Sequence, residues 1–275
     1  MIRLRGLSDV VRDLAPPAVT ELFALLTHLG DPPFLLAIVA VYYWLADDRR
    51  SPALLVGFAL VAVALTIFLK NGLAQPRPPA AVQAVAPETE SYGFPSGHAI
   101  GATVVYGGLV AVDARLRNRK VVAGLAALVA LVGLSRVVIG VHYLGDVVVG
   151  HAVGLAVVAA LWYTPYRRRT LAAATGSVIA VLAVAVTESG PDPLFTFGGA
   201  LGATAVFATV DVDELPTVDG LGPSVVLVAA GLALLGGTYA LALAVGHPLA
   251  VVTAGGVMIG GALLLPGALG LVNAG

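Results

Sequence analysis

The chain contains no cysteine and, among 275 residues, only two lysines, two tryptophans and two methionines. The missing cysteine excludes disulfides, thiol nucleophiles and thiolate-bound metals together. Charge is scarce too. Asp, Glu, Lys and Arg make up 11% of the residues, against roughly 25% in a soluble domain. The net charge is −1, so there is no basic field for nucleic acid. The five histidines show no HExxH or other close ligand spacing, and no metal or other cofactor is expected.

What fills the chain instead is apolar. Hydrophobic residues reach 59% and the mean hydropathy is +0.96, as in a polytopic membrane protein. Runs near the 20 residues that cross a bilayer fall at 33–46, 52–73, 98–114, 121–137, 143–163, 170–187, 194–210, 223–245 and 249–271. The expected fold is an all-α bundle of about nine transmembrane helices. Ahead of them, "MIRLRGLSDVVRDLAPP" reaches its prolines before any long apolar core. It reads as an amphipathic interfacial segment rather than a signal peptide.

Loop charge sets the orientation. The loops after the first, third and fifth runs read "DDRR", "RLRNRK" and "YRRR" and hold nine of the fifteen basic residues. By the positive-inside rule that side is cytoplasmic, which puts loop 74–97 outside and the C-terminus inside. The expected location is the plasma membrane. Pro165 and the arginines after it mark the one internal boundary. The expected division is an interfacial segment at 1–32, a five-span catalytic core at 33–166 and a four-span extension at 167–275. The extension is glycine-rich, with Gly198/Gly202 and Gly256/Gly260 at GxxxG spacing. Close helix packing is the plain reading of those pairs, and they also offer a homodimer face.

Against this background "LSRVVIGVHYLGDVVVG", at 134–150, is anomalous, because it carries an arginine, a histidine and an aspartate inside an apolar run. A charge in a low-dielectric environment costs several kcal/mol, on the order of 3, unless paired or solvated. Two other polar clusters share its expected external level: "KNGLAQPRP" at 70–78 and "FPSGHAIG" at 94–101. Together they supply Lys70, Arg77 and Arg136 as cations, with Ser96 and Gly97 at a helix start. That combination suits a phosphate-like anion, since guanidinium forks and helix N-termini both bind such oxygens. His142 and Asp146 are four residues apart and would share a helix face, with the carboxylate orienting the ring toward the substrate as nucleophile. His98, from another helix, would protonate the leaving oxygen.

These clusters, K-x6-R-P, P-S-G-H and S-R-x5-H-x3-D, resemble in order and spacing the three signatures of the type-2 phosphatidic acid phosphatase superfamily. The likeness covers residues 20–165. It implies that His142 attacks phosphorus to form a phosphohistidine, that Asp146 orients it and that His98 protonates the leaving group. Lys70, Arg77, Ser96, Gly97 and Arg136 would bind the phosphoryl oxygens. No metal is implied, and vanadate should inhibit. The layout of spans looks most like the glucose-6-phosphatase branch.

The expected function is hydrolysis of a lipid phosphate or diphosphate at the outer leaflet, with a polyprenyl diphosphate, phosphatidic acid or phosphatidylglycerophosphate as substrate. The alternatives are a phosphotransferase using the same histidine, a sugar-phosphate phosphatase, and a non-catalytic lipid binder or transporter. Membrane lipids are the other expected partners. Among the remaining polar residues, His151 is expected to make an interhelical hydrogen bond. His28 and His247 are expected in capping or interfacial roles, and Glu21 and Asp31 as caps near the external face from which they could approach the pocket rim. Glu88 and Glu90 would lie in a solvated loop, Asp211 to Gly220 would form a solvated turn, and Tyr42, Tyr43 and Trp44 would form an anchoring belt.

Overall fold

The protein is described here from a computed structural model covering residues 3–85, 92–187 and 190–273. Two short helices, α1 (Arg5–Asp13) and α2 (Pro17–Leu26), lead into a 3₁₀ turn at Thr27–Gly30. Nine helices follow: α3 (Pro32–Trp44), α4 (Arg50–Leu73), α5 (Gly97–Val112), α6 (Arg119–Val138), α7 (Leu144–Tyr163), α8 (Arg169–Val186), α9 (Asp192–Thr209), α10 (Leu221–Val245) and α11 (Pro248–Asn273). Their starts follow local chemistry. Proline, which lacks the N–H that a first helical turn cannot use, opens α2, α3 and α11. Asn118 caps α6 by accepting from the Lys120 N–H at 2.9 Å.

Each of the nine expected apolar segments is a helix, but not each is a full-length span. Among the described residues, six helices are long and apolar enough to cross a membrane: α4, α6, α7, α8, α10 and α11. The Pro17–Gly30 and Pro32–Trp44 segments qualify only together, bent by 47°, for a total of up to seven. Helix α5 has 16 residues, about 24 Å of helix against a hydrocarbon core of roughly 30 Å. Nine is therefore the number of apolar helices and exceeds the number that meets the length and composition of a span.

The chain forms two compact units, Met1–Leu35 with Leu69–Tyr163, and Leu36–Phe68 with Thr164–Gly275. The N-terminal segment belongs with the residues of the polar clusters, while 36–68 groups with the C-terminal helices.

In the first unit α5 packs along α7, with α6 beside both and α1 and α2 against α6. Glycine allows the α5–α7 approach. A Cβ at Gly150 would lie 2.7 Å from the Ser96 carbonyl oxygen, and one at Gly154 would lie 2.6 Å from Thr103 Cβ.

In the second unit α9 lies against α8 and α11, and α10 against α11. The GxxxG pairs meet each other within the chain. A Cβ at Gly198 would lie 2.0 Å from the Val252 oxygen, and one at Gly202 would lie 2.5 Å from the Gly256 oxygen. Tyr43 and Trp44 do not form a lipid-facing belt: each is 1% exposed. They donate to the Leu263 and Ala262 carbonyls of α11 at 2.9 and 2.8 Å, because a buried phenol or indole needs an acceptor. The 211–220 turn is likewise tied down. Arg169 pairs with Asp213 at 3.0 Å and with Asp211 at 3.2 Å, and Arg49 donates to the Leu215 and Pro216 carbonyls.

Candidate active site

All eight residues singled out from the sequence fall in the first unit. Helix α6 ends at Val138, and the chain turns through Gly140, whose φ of +80° admits glycine without strain. The same position is crowded, since a Cβ there would lie 1.9 Å from the Val82 carbonyl oxygen. The Ala84 N–H donates to the Ile139 oxygen beside it. This turn docks on the loop after α4 and carries His142 into the interior, where it is 1% exposed. The Val141 and His142 N–H groups both donate to the Arg136 carbonyl at 3.1 Å.

One contact decides the His142 tautomer. Arg77 Nη1 lies 3.2 Å from His142 Nε2, and it also donates to the Val141 carbonyl at 3.2 Å. A guanidinium has donors and no acceptor, so Nε2 is the unprotonated nitrogen and the neutral ring carries its hydrogen on Nδ1. Nδ1 faces Asp146 Oδ2 at 3.5 Å, longer than a formed hydrogen bond. Burial first, then the positive charges of Lys70, Arg77 and Arg136, hold His142 well below the ordinary histidine range. The ring is thus neutral, with Nε2 facing the Arg77 guanidinium.

His142 does not share a helix face with Asp146, as expected from their spacing. Helix α7 begins at Leu144, so His142 sits in the turn before it. Asp146 acts instead at the helix start. Its Oδ2 accepts from the Tyr143 N–H at 2.9 Å, the return bond of a capping box.

The sequence reading missed Arg3, the main partner of Asp146. Arg3 is 4% exposed; its Nε meets Oδ1 at 2.6 Å and its Nη2 meets Oδ2 at 2.5 Å. Its third nitrogen donates to the Pro76 carbonyl at 2.7 Å, tying the Lys70–Arg77 loop to the start of α7. The guanidinium lies 4.7 Å from the Tyr143 ring and 5.9 Å from the Phe94 ring, within cation–π range. The same segment caps α7. Ser8 Oγ accepts from the Leu144 N–H at 2.8 Å, and the Arg3 carbonyl accepts from the Gly145 N–H at 3.1 Å. Those are orphan donors of a helix N-terminus. The available signal was an aspartate in an apolar helix with no cation one turn away.

The second cluster builds the facing wall. Ser96 caps α5 by accepting from the Ala99 N–H at 3.4 Å, and its own N–H donates to the Asp146 carbonyl at 3.0 Å. Gly97 is therefore the first residue of a helix whose start is tied to that of α7. His98 Nε2 lies 2.8 Å from Asp31 Oδ1. Asp31 is thus a partner of the site, a second residue that the sequence reading had placed in a capping role. Arg136 Nη1 donates to Thr27 Oγ1 at 2.6 Å. Lys70 lies in the last turn of α4 and acts on His142 through its charge.

The other polar residues fall outside this cluster. His151 Nδ1 lies 2.8 Å from Thr103 Oγ1, the interhelical bond expected, and Gly133 leaves room for its ring, since a Cβ there would lie 2.3 Å from His151 Nε2. His247 accepts from the Leu249 N–H at 3.3 Å and caps α11. Glu88 and Glu90 lie outside the described residues.

Residues 52–170 match the profile of the PAP2 superfamily. Phosphatidylglycerophosphatase B of Bacillus subtilis is 30% identical over 151 residues, which is 50% of this chain and 71% of that protein. Decaprenylphosphoryl-5-phosphoribose phosphatase of Mycobacterium tuberculosis is 36% identical over 138 residues, 48% of this chain and 72% of that protein. A crystal structure of a transmembrane PAP2-type phosphatidylglycerolphosphate phosphatase from Bacillus subtilis aligns with a TM-score of 0.49 at 27% identity. That alignment covers 57% of this chain and 81% of that one.

Proposed function

The chain belongs to the PAP2 superfamily, and from that premise we propose that it hydrolyses a lipid phosphate at the external membrane face through a phosphohistidine on His142. The observation that carries the reading is the Arg77–His142 contact: it leaves Nε2 unprotonated beside a cluster of cations. A phosphoryl group drawn to those cations takes up the Arg77 donor in place of Nε2, whose lone pair is then free to bond to phosphorus.

The bonds balance in two halves. In the first, His142 Nε2 bonds to phosphorus as the bond to the leaving oxygen breaks, and His98 gives that oxygen a proton. The Nδ1 proton of His142 leans on Asp146, which Arg3 holds in place. In the second half a water oxygen bonds to phosphorus, the P–N bond breaks, and the water proton returns to His98. Arg77, Arg136, Lys70, Ser96 and the Gly97 N–H hold the equatorial oxygens as charge develops on them.

A lipid substrate is supported by the two relatives, whose names specify a phosphatidylglycerophosphate and a decaprenyl-linked sugar phosphate. The site also lies at the ends of apolar helices, with Gly97 opening α5 and Asp146 in the first turn of α7. Loop charge supports the external face: the ends of α5 and α6 away from the site are joined by 113–120, which carries Arg115, Arg117, Arg119 and Lys120. The test is phosphate release by detergent-purified protein in EDTA against a panel of phosphatidylglycerophosphate, phosphatidic acid, polyprenyl diphosphate and glucose 6-phosphate. Release from the lipids that persists in EDTA and is blocked by vanadate is expected. Release from the sugar phosphate alone would reassign the substrate.

A further inference from the structure

Asp31 stands before two prolines, Pro32 and Pro33, which open α3. An aspartate at that position ordinarily turns its carboxylate onto the first free N–H groups of the helix. Here the first two residues have none to offer, and both oxygens instead meet histidines. Oδ1 takes His98 at 2.8 Å and Oδ2 takes His28 at 2.7 Å. The backbone around this pair is fixed. Tyr106 donates its hydroxyl to the Leu29 carbonyl at 2.8 Å, and a Cβ on Gly30 would lie 3.1 Å from the His98 ring and 2.4 Å from Val132. His98 has a side-chain exposure of 10%, Asp31 22% and His28 62%.

We propose that Asp31 is the positioning residue of the general acid. It does for His98 what Asp146 does for His142, so that the site contains two histidine–aspartate pairs of opposite function. The inference rests on the phosphohistidine reading above. An ionised carboxylate only accepts, so His98 Nε2 carries a hydrogen toward Asp31, and the proton transferred to the leaving oxygen is carried on Nδ1. The carboxylate supplies the counter-charge for the imidazolium and fixes the ring plane. His28 holds the second oxygen from the solvent side, which keeps the carboxylate from rotating away from His98.

In the first half-reaction, which kcat/KM reports, His98 acts as a general acid, and a group acting through it matters there only when the leaving group needs a proton. The test is Asp31→Asn in the full-length protein on two phosphate esters, one with an alkyl and one with a p-nitrophenyl leaving group. The variant should lose roughly ten- to hundredfold in kcat/KM on the alkyl ester and little on the aryl ester. Activity on the aryl ester also shows that the variant is folded. Asp31→Asn combined with His98→Ala should be no worse than His98→Ala alone, since groups acting as a unit are not additive. Equal losses on both esters, or additive losses in the double variant, would overturn the role of Asp31 and leave the His142 reading standing. A wild-type protein that releases phosphate from neither ester would overturn the phosphatase reading itself, and this inference with it.

Discussion

Arg3 and Asp146 are bound at both carboxylate oxygens, at 2.6 and 2.5 Å, across 143 positions of sequence. Both side chains are buried, at 2% and 0% exposure. The forked geometry fixes the plane of the carboxylate, and with it the oxygen that His142 Nδ1 faces. Removing one partner of such a pair leaves a buried charge uncompensated, which costs about 3–5 kcal/mol. Arg3→Ala should therefore lower the melting temperature in detergent and depress phosphate release together. Arg3→Lys, which restores charge without the fork, should recover stability better than activity. Unchanged melting in Arg3→Ala would mean the clamp is absent in the protein.

Gly145 tests the same contact from the other side. A Cβ there would lie 2.8 Å from the Arg3 Cα and carbonyl carbon, which are backbone atoms that cannot swing aside. Gly145→Ala should displace the N-terminal segment at a cost of about 1–3 kcal/mol and reproduce the activity loss of Arg3→Ala. It leaves every titratable group in place. Wild-type kinetics in this variant would contradict the proposed link between the segment and the site.

The His142 environment sets a pH dependence. Its folded-state value lies well below the ordinary 6.5, through burial and then the neighbouring cations. A histidine depressed in the folded state contributes stability above its unfolded value, and that stability is lost as pH falls below it. For the reaction, the acidic limb of kcat/KM should lie below pH 6.5. Arg77→Ala removes one depressing charge and should move that limb to higher pH while lowering the rate. A limb that stays put would show that Arg77 does not act on the nucleophile.

His151 is the control. Its ring bonds Thr103 across the α5–α7 contact, away from the cations. His151→Asn should cost about 1 kcal/mol of stability and leave kcat/KM unchanged. A large kinetic loss with little destabilisation would place His151 in the mechanism.

The parts of the site legible in the sequence are those where a polar residue interrupts an apolar run. Arg136, His142 and Asp146 stand out because a bilayer-length segment has no other reason to hold them. Arg3 was not legible, because an arginine in a polar N-terminal segment needs no explanation until its partner, far along the chain, is known. Asp31 reads as a cap until the two histidines that take its carboxylate oxygens are known. The i,i+4 spacing of His142 and Asp146 suggests a shared face only if the helix includes His142, whereas α7 starts two residues after it. Tyr43 and Trp44 show the same limit: an aromatic cluster near a helix end reads as a membrane belt until a carbonyl on α11 claims each polar atom. The apolar runs located every long helix, yet length alone distinguishes α5 from a full span.

The most direct test of the central claim is to trap the intermediate. Wild-type protein is mixed briefly with a lipid phosphate labelled at phosphorus, quenched in alkali to preserve phosphoramidates, and digested to locate the label. The account predicts label on the peptide containing His142 in the presence of EDTA, and none in His142→Ala. Label on another residue, or phosphate release undiminished in His142→Ala, would contradict it.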